Sequence, residues 1–137
     1  MKRFIGIDYG KKRTGIAISD PLGIFASPIE TVPTAKIMEY LKKCTETYEV
    51  ERFVVGYPMN LNNKPSECAQ YVSVFLKQLD KKFKNTPYTL EDERFTSVLA
   101  MKSMIAGGMK KSDRREKRAV DKISAALILQ TYMDRKK

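Results

Sequence analysis

Two short apolar runs, Phe4 to Asp8 ("FIGID") and Thr14 to Ser19 ("TGIAIS"), stand only five residues apart, joined by "YGKKR". Runs of this length around a glycine and three basic residues read as two strands and the turn of a hairpin. "DPLG", Asp20 to Gly23, is the next turn, with proline after its first residue. Phe25 to Val32 follows as a third strand, where Pro28 marks an edge or an irregularity. From there the pattern changes to alternation of helix and strand. Thr34 to about Tyr48 reads as a helix with Ile37, Met38 and Leu41 on its apolar side. "RFVVGYP" is a fourth strand stopped by Pro58, and "MNLNNKPSE" a loop. Pro65 to about Phe83 is a helix carrying Ala69, Val72, Phe75, Leu76 and Leu79, and "YTLEDER" a fifth strand. Thr96 caps a helix to Ala106 that closes at Gly107-Gly108, and a last helix runs from about Ala119 to Met133.

A meander of three strands followed by strand–helix–strand units predicts an α/β fold: a five-stranded mixed sheet with helices packed on both faces. Right-handed crossovers bring the C-terminal ends of strands one, four and five to one edge, where sites form in open sheets. With 137 residues the chain is expected to be a single domain, 1–137, able to bury a core. No apolar run approaches the ~20 residues of a membrane span. The apolar stretch of "MKRFIGIDYG" is too short for a signal peptide, so a cytoplasmic location is expected.

Histidine is absent, and the two cysteines, Cys44 and Cys68, have no metal-binding spacing and read as free thiols. That excludes Ser-His and Cys-His catalysis, imidazole acid–base work and the usual zinc hydrolase sites. Hydrolysis by this chain must rest on carboxylates with a hard cation. The formal net charge is +10, from 26 Lys+Arg against 16 Asp+Glu, which favours polyanionic partners. The excess is concentrated in "GKKR" near the first turn and in "KKSDRREKR", Lys110 to Arg118, with six basic and two acidic residues. The closing "DRKK" reads as a solvated or frayed tail. Nucleic acid is therefore the expected partner. Membrane binding is not, since no helix pairs a basic face with a broad aromatic and leucine face.

Three acids fall at ends that this topology brings together. Asp8 ends strand one, Asp92 and Glu93 end strand five, and Asp121 lies in the first turn of the last helix. In that helix Val120, Ile123, Leu127 and Thr131 form one stripe. Asp121 heads the adjoining stripe with Ala125, Ile128 and Tyr132, bordering the buried face. Ala125 and Ala126 are small enough for close approach to a sheet. Converging carboxylates repel unless a cation sits among them, and Asp and Glu suit Mg²⁺ or Mn²⁺. Such a site can activate water and stabilise the oxygen that leaves in phosphodiester cleavage. Gly6 and Gly10 would let backbone or substrate come near Asp8, and Lys11, Lys12 and Arg13 could meet phosphate oxygens beside the metal. Each acid also has a structural reading: a turn residue at Asp8, a favourable charge at a helix start for Asp121, a surface ion pair for Glu93.

The blocks "FIGIDYGKKRTGIAISD", "VVGYPMN", "EDERFTS" and "AVDKISAALILQTYM", in this order and spanning essentially the whole chain, resemble the signature blocks of the YqgF/RuvX family. That resemblance implies a ribonuclease H-like fold, related to the RuvC-type junction resolvases, and a metal-dependent nuclease trimming the 5′ end of precursor 16S ribosomal RNA. It puts the family's acids, as catalytic residues and metal ligands, on Asp8, Glu93 and Asp121, with Asp92 and Arg94 completing a "DER" block. Related nucleases often carry an acid at the end of strand four, where this chain has "VVGYP", so the second ligand is expected from strand five. Lys11, Lys12, Arg13, Arg94, Lys110, Lys111, Arg114, Arg115 and Arg118 are the expected nucleic-acid contacts, the Lys110–Arg118 segment acting as a clamp. The partners implied are precursor 16S rRNA and ribosomal particles, or branched DNA for a Holliday junction resolvase acting as a dimer. A non-catalytic ribosome-assembly module is the further alternative. A kinase or ATPase built on the "DxG" hairpin would need more chain, and no GxxxxGK[ST] loop is present.

Overall fold

The computed structural model describes residues 2–57, 69–92 and 117–136. β1 (Lys2–Tyr9), β2 (Arg13–Ser19) and β3 (Ala26–Pro33) form the meander. A single 3₁₀ turn, Thr34–Lys36, leads into α1 (Ile37–Thr47), followed by β4 (Glu49–Tyr57), α2 (Ala69–Lys82), β5 (Tyr88–Asp92) and α3 (Lys117–Lys136). The sheet order is β3-β2-β1-β4-β5. β1 and β3 flank β2 antiparallel, whereas β1–β4 and β4–β5 are parallel, so β1, β4 and β5 end on the same edge as expected.

Alternation along the central strands explains why helices occupy both faces. Ile5 and Ile7 of β1 join Phe53 and Val55 of β4 in a core with Ile37 and Leu41 of α1 and Val72, Phe75 and Leu79 of α2. Residues in the other phase, Ala17 of β2 and Val54 of β4, pack with Ala125, Ile128, Leu129, Tyr132 and Met133 of α3. Each large side chain fully buried in these layers contributes about 1.5–3 kcal/mol.

Local hydrogen bonds fix the two turns. Asp20 Oδ1 accepts from the backbone N–H of Ile24 at 2.7 Å and of Phe25 at 3.1 Å, and Gly23 turns the chain at φ +69°. At the hairpin tip a Cβ on Gly10 would strike the carbonyl oxygen of Arg13, so glycine is required by the turn itself. Thr34 Oγ1 donates to the Gly10 carbonyl at 2.6 Å and lies 2.9 Å from Thr14 Oγ1. The Thr34 N–H donates to Lys12 O at 3.0 Å, which ties the tip to the entry of α1.

Pro28 marks both an edge and an irregularity: β3 is an outer strand, and its register against β2 shifts between Ile16 and Ala17 beside Pro28. β4 begins at Glu49, earlier than its apolar run, because parallel pairing with Lys2 and Arg3 recruits polar residues. The expected helix from Thr96 to Ala106 lies outside the described residues.

Candidate functional site

Asp8 stands at the shared C-terminal edge of the parallel strands. Ile7 pairs with Val55, and Val55 with Leu90, so Asp8 is level with the pair Gly56–Glu91, and Asp92 lies one step further beside Tyr57. Gly15 faces Asp8 across the antiparallel ladder. Glycines, Gly15 and Gly56, thus flank Asp8 in the register on both sides. Asp8 is partly exposed and keeps a partner within the fold.

Gly6 decides how α3 meets this edge. A Cβ on Gly6 would lie 2.7 Å from Leu129 Cβ and 2.8 Å from the Ala125 carbonyl oxygen, so the helix backbone rests directly on β1. Of the two expectations for Gly6, an approach of backbone or of substrate, the helix backbone is the one observed. Two residues back along β1, the Phe4 and Tyr132 rings meet edge to face at 5.7 Å. Descending β1 from Gly6 to Phe4 thus corresponds to ascending α3 from Leu129 to Tyr132, and the two elements run oppositely. Going the other way, Gly6 to Asp8 is about 6.6 Å of strand. Ala125 back to Asp121 is about 6 Å of helix. The Asp121 backbone, one turn before Ala125, thus lies on the Asp8 side of the Gly6 contact.

The buried stripe of α3 is the one Asp121 heads. Ala125, Ile128 and Tyr132 are 0%, 2% and 4% exposed, whereas Thr131 of the neighbouring stripe is exposed and Ile123 and Leu127 only half-buried. Both stripes are apolar in sequence. The bare surface over Gly6 selects the one with alanine at its centre.

A family model described as RuvX, Holliday junction resolvase, matches residues 2–135. The chain belongs to the RuvX family. A Phocaeicola vulgatus protein named as a candidate pre-16S rRNA nuclease is 48% identical over 137 residues, covering 100% of this RuvX chain and 99% of the relative. One of the same name from Parabacteroides distasonis is 47% identical, covering 100% and 98%. Among solved structures, T. thermophilus RuvC in complex with a Holliday junction substrate superposes with a TM-score of 0.58 at 16% identity, covering 99% of this chain and 96% of that one. That likeness carries the fold, which is ribonuclease H-like as expected.

Of the residues expected at the RuvX site, the structure describes Asp8, Lys11, Lys12 and Arg13 with their side chains. Asp121 and Arg118 are described as backbone positions in α3. Glu93, Arg94, Lys110, Lys111, Arg114 and Arg115 lie outside the described residues, as does the side chain of Asp92. Among the described residues no three His, Cys, Asp or Glu side chains cluster around a possible ion. The basic trio diverges. Lys12 is exposed, Arg13 is half-buried at the base of β2 with a partner in the fold, and Lys11 Nζ sits 5.1 Å from the centre of the Tyr71 ring of α2. Lys11 is thereby held on the face opposite α3. A hard-cation site fits what is described: a strand-end carboxylate between two glycines, a helix start bearing a second acid, and no softer imidazole donor in the sequence.

One acid escaped the reading of the sequence. Glu91 shares the α3 face with Asp8, is 5% exposed, and forms an ion pair with Arg135, Nη2 lying 2.7 Å from Oε2. Arg135 belongs to the closing "DRKK", of which Asp134 and Arg135 are solvent-exposed as expected and residues 134–136 are the last of α3. The register supplied the missing signal: position 91 is opposite Gly56, so a side chain there has room to turn inward.

Proposed function

We propose that this RuvX protein is a metal-dependent nuclease that hydrolyses phosphodiester bonds at the edge formed by β1, β5 and the start of α3, acting in 5′-end processing of precursor 16S rRNA. Membership of the family and the nuclease names of full-length relatives make it a nuclease. The single observation that supports the site is the seating of α3 on Gly6, where Ala125, one turn after Asp121, rests on β1 two residues before Asp8.

Asp8, Glu93 and Asp121 would hold Mg²⁺ or Mn²⁺, with Glu93 following the last residue of β5. When bound, the cation supplies an activated water and stabilises the oxygen that leaves. The chain's own part is to fix the carboxylates on rigid elements, a strand buried on both faces and a helix locked by close contact, so that little reorganisation accompanies the reaction. The glycines beside Asp8 leave space for a phosphate group to approach. Arg94, Lys12 and Arg13, with Lys110, Lys111, Arg114, Arg115 and Arg118 as a clamp, would meet the RNA backbone. Residues 1–137 act as one nuclease domain in the cytoplasm. Among the described residues no helix is long and apolar enough to cross a membrane.

The test is cleavage of precursor 16S RNA and of four-way DNA by purified protein with Mn²⁺, beside Asp8→Asn. Metal-dependent trimming of the RNA, lost in the variant, is expected. Equal cleavage by the variant would contradict the catalytic reading. Branched DNA is the second substrate, favoured by the family description and by the junction-bound RuvC likeness in fold. Symmetric incision of the junction by a dimer, without RNA trimming, would select it.

A further inference from the structure

On the face away from α3, a groove of about 770 Å³ opens between α1, α2 and the β1–β2 tip. Its described lining includes Tyr9, Lys11, Thr34, Gln78, Lys81 and Lys82, and no carboxylate. Three lysines from two separate elements therefore converge on one concavity. Lysines in the last turn of a helix also complement its dipole, which accounts for Lys81 and Lys82 singly. It does not account for Lys11, which reaches the same groove from the hairpin tip while lying over Tyr71, an aromatic side chain 43% exposed. Tyr9 is fixed at the groove's upper end by stacking on Phe75, with ring centres 4.4 Å apart and planes 18° from parallel. Positive charge along a groove with aromatic faces beside it is the arrangement that holds single-stranded nucleic acid without reading its sequence. The groove also starts where the site ends. Tyr9 follows Asp8 directly, with its side chain on the opposite face, so a strand leaving the acids need cross only the β1–β2 tip to enter.

We propose that this groove binds the phosphate backbone of single-stranded RNA flanking the scissile bond, so that substrate wraps over the hairpin tip from the α3 face to the α1/α2 face. The inference rests on the nuclease reading for its choice of ligand, but its test does not need cleavage. Affinity for a 20-nucleotide and a 6-nucleotide fluorescent oligouridylate is measured by anisotropy in EDTA across a salt series. The proteins compared are the unaltered chain, Lys81→Glu/Lys82→Glu, and Lys36→Glu/Lys43→Glu. The last pair makes the same change of charge in a smaller cleft on the other side of α1, one that also holds Glu39. Reversing the groove lysines should weaken the 20-mer about tenfold or more. It should also lower the slope of log affinity against log salt by about 1.4, at ~0.7 per lost single-strand contact. The 6-mer should change less, and the control pair less in both. Equal losses in the two double variants, or an unchanged 20-mer, would overturn the groove and leave its lysines to the helix dipole or to an acidic protein. Should charge reversal unfold the chain, Lys81→Gln/Lys82→Gln carries the same comparison, with a smaller loss of affinity and the same drop in slope of about 1.4. Asp8→Asn reports separately: if it cuts normally while the groove variants lose the 20-mer, the nuclease reading fails and the groove stands.

Discussion

Asp8 and Gly6 occupy the same face of one strand, and the absence of a side chain at Gly6 lets α3 rest on the strand two residues before Asp8. Replacing Gly6 by Ala puts a methyl group against Leu129 Cβ and the Ala125 carbonyl, neither of which is the loose end of a side chain. We expect Gly6→Ala to cost about 1–3 kcal/mol by overpacking, read as a lower urea midpoint. Cleavage should fall further than stability explains, because α3 moves off the edge. An unchanged midpoint would mean the helix is not seated as described. For Asp8→Asn the expectation is loss of metal-dependent cleavage by at least about a hundredfold, since a cation's charge stabilisation is worth several kcal/mol. Its melting temperature should stay near that of the unaltered chain, because Asp8 is at a partly exposed strand end.

Among the elements, α3 shows best what the sequence can and cannot convey. Its existence follows from apolar spacing, and Ala125 correctly marked it for close packing. Its buried side did not follow. Two apolar stripes adjoin, and only the notch at Gly6 on another element chooses between them. The hairpin, the order of strands and helices, and the edge bearing Asp8 were legible because short β-branched runs and turn residues act locally. Glu91 was not, because its burial depends on Gly56 opposite and on Arg135 arriving from the far end of α3. That ion pair fastens the last turn of α3 to β5. Arg135→Ala would leave a carboxylate in a buried position without its cation. We expect a loss of about 1–3 kcal/mol, moderated by the exposure of the arginine, and a compensating double variant with Glu91→Gln. A double variant no better than Arg135→Ala alone would show the pair to be incidental.

At the scale of the whole molecule, the α1/α2 core carries two acids that are neutral when protonated. Burial pushes the Cys44 thiol above its ordinary 9.0, and burial, with Cys44, Glu30 and Tyr48 nearby, pushes Tyr40 up to about 12. Both folded values are raised, so the folded chain holds these protons more tightly than the unfolded chain. Their contribution is intact below pH 9 and declines as the pH climbs from 9 towards 12. Urea midpoints should therefore drop across that window, and drop less in Tyr40→Phe. A flat profile would contradict the burial of this layer. The same layer carries the basic groove, so under the proposed function substrate would be held on one face of the sheet and cut at the edge of the other.

The central claim is that carboxylates from β1, from just beyond β5 and from α3 together hold divalent metal, and Mn²⁺ binding measured by calorimetry tests it most directly. The unaltered chain should bind Mn²⁺, and Asp8→Asn, Glu93→Gln and Asp121→Asn should each weaken that binding about tenfold or more while leaving the melting temperature largely in place. Undiminished Mn²⁺ binding in both Asp8→Asn and Asp121→Asn would mean that the two ends of the chain do not meet around a metal.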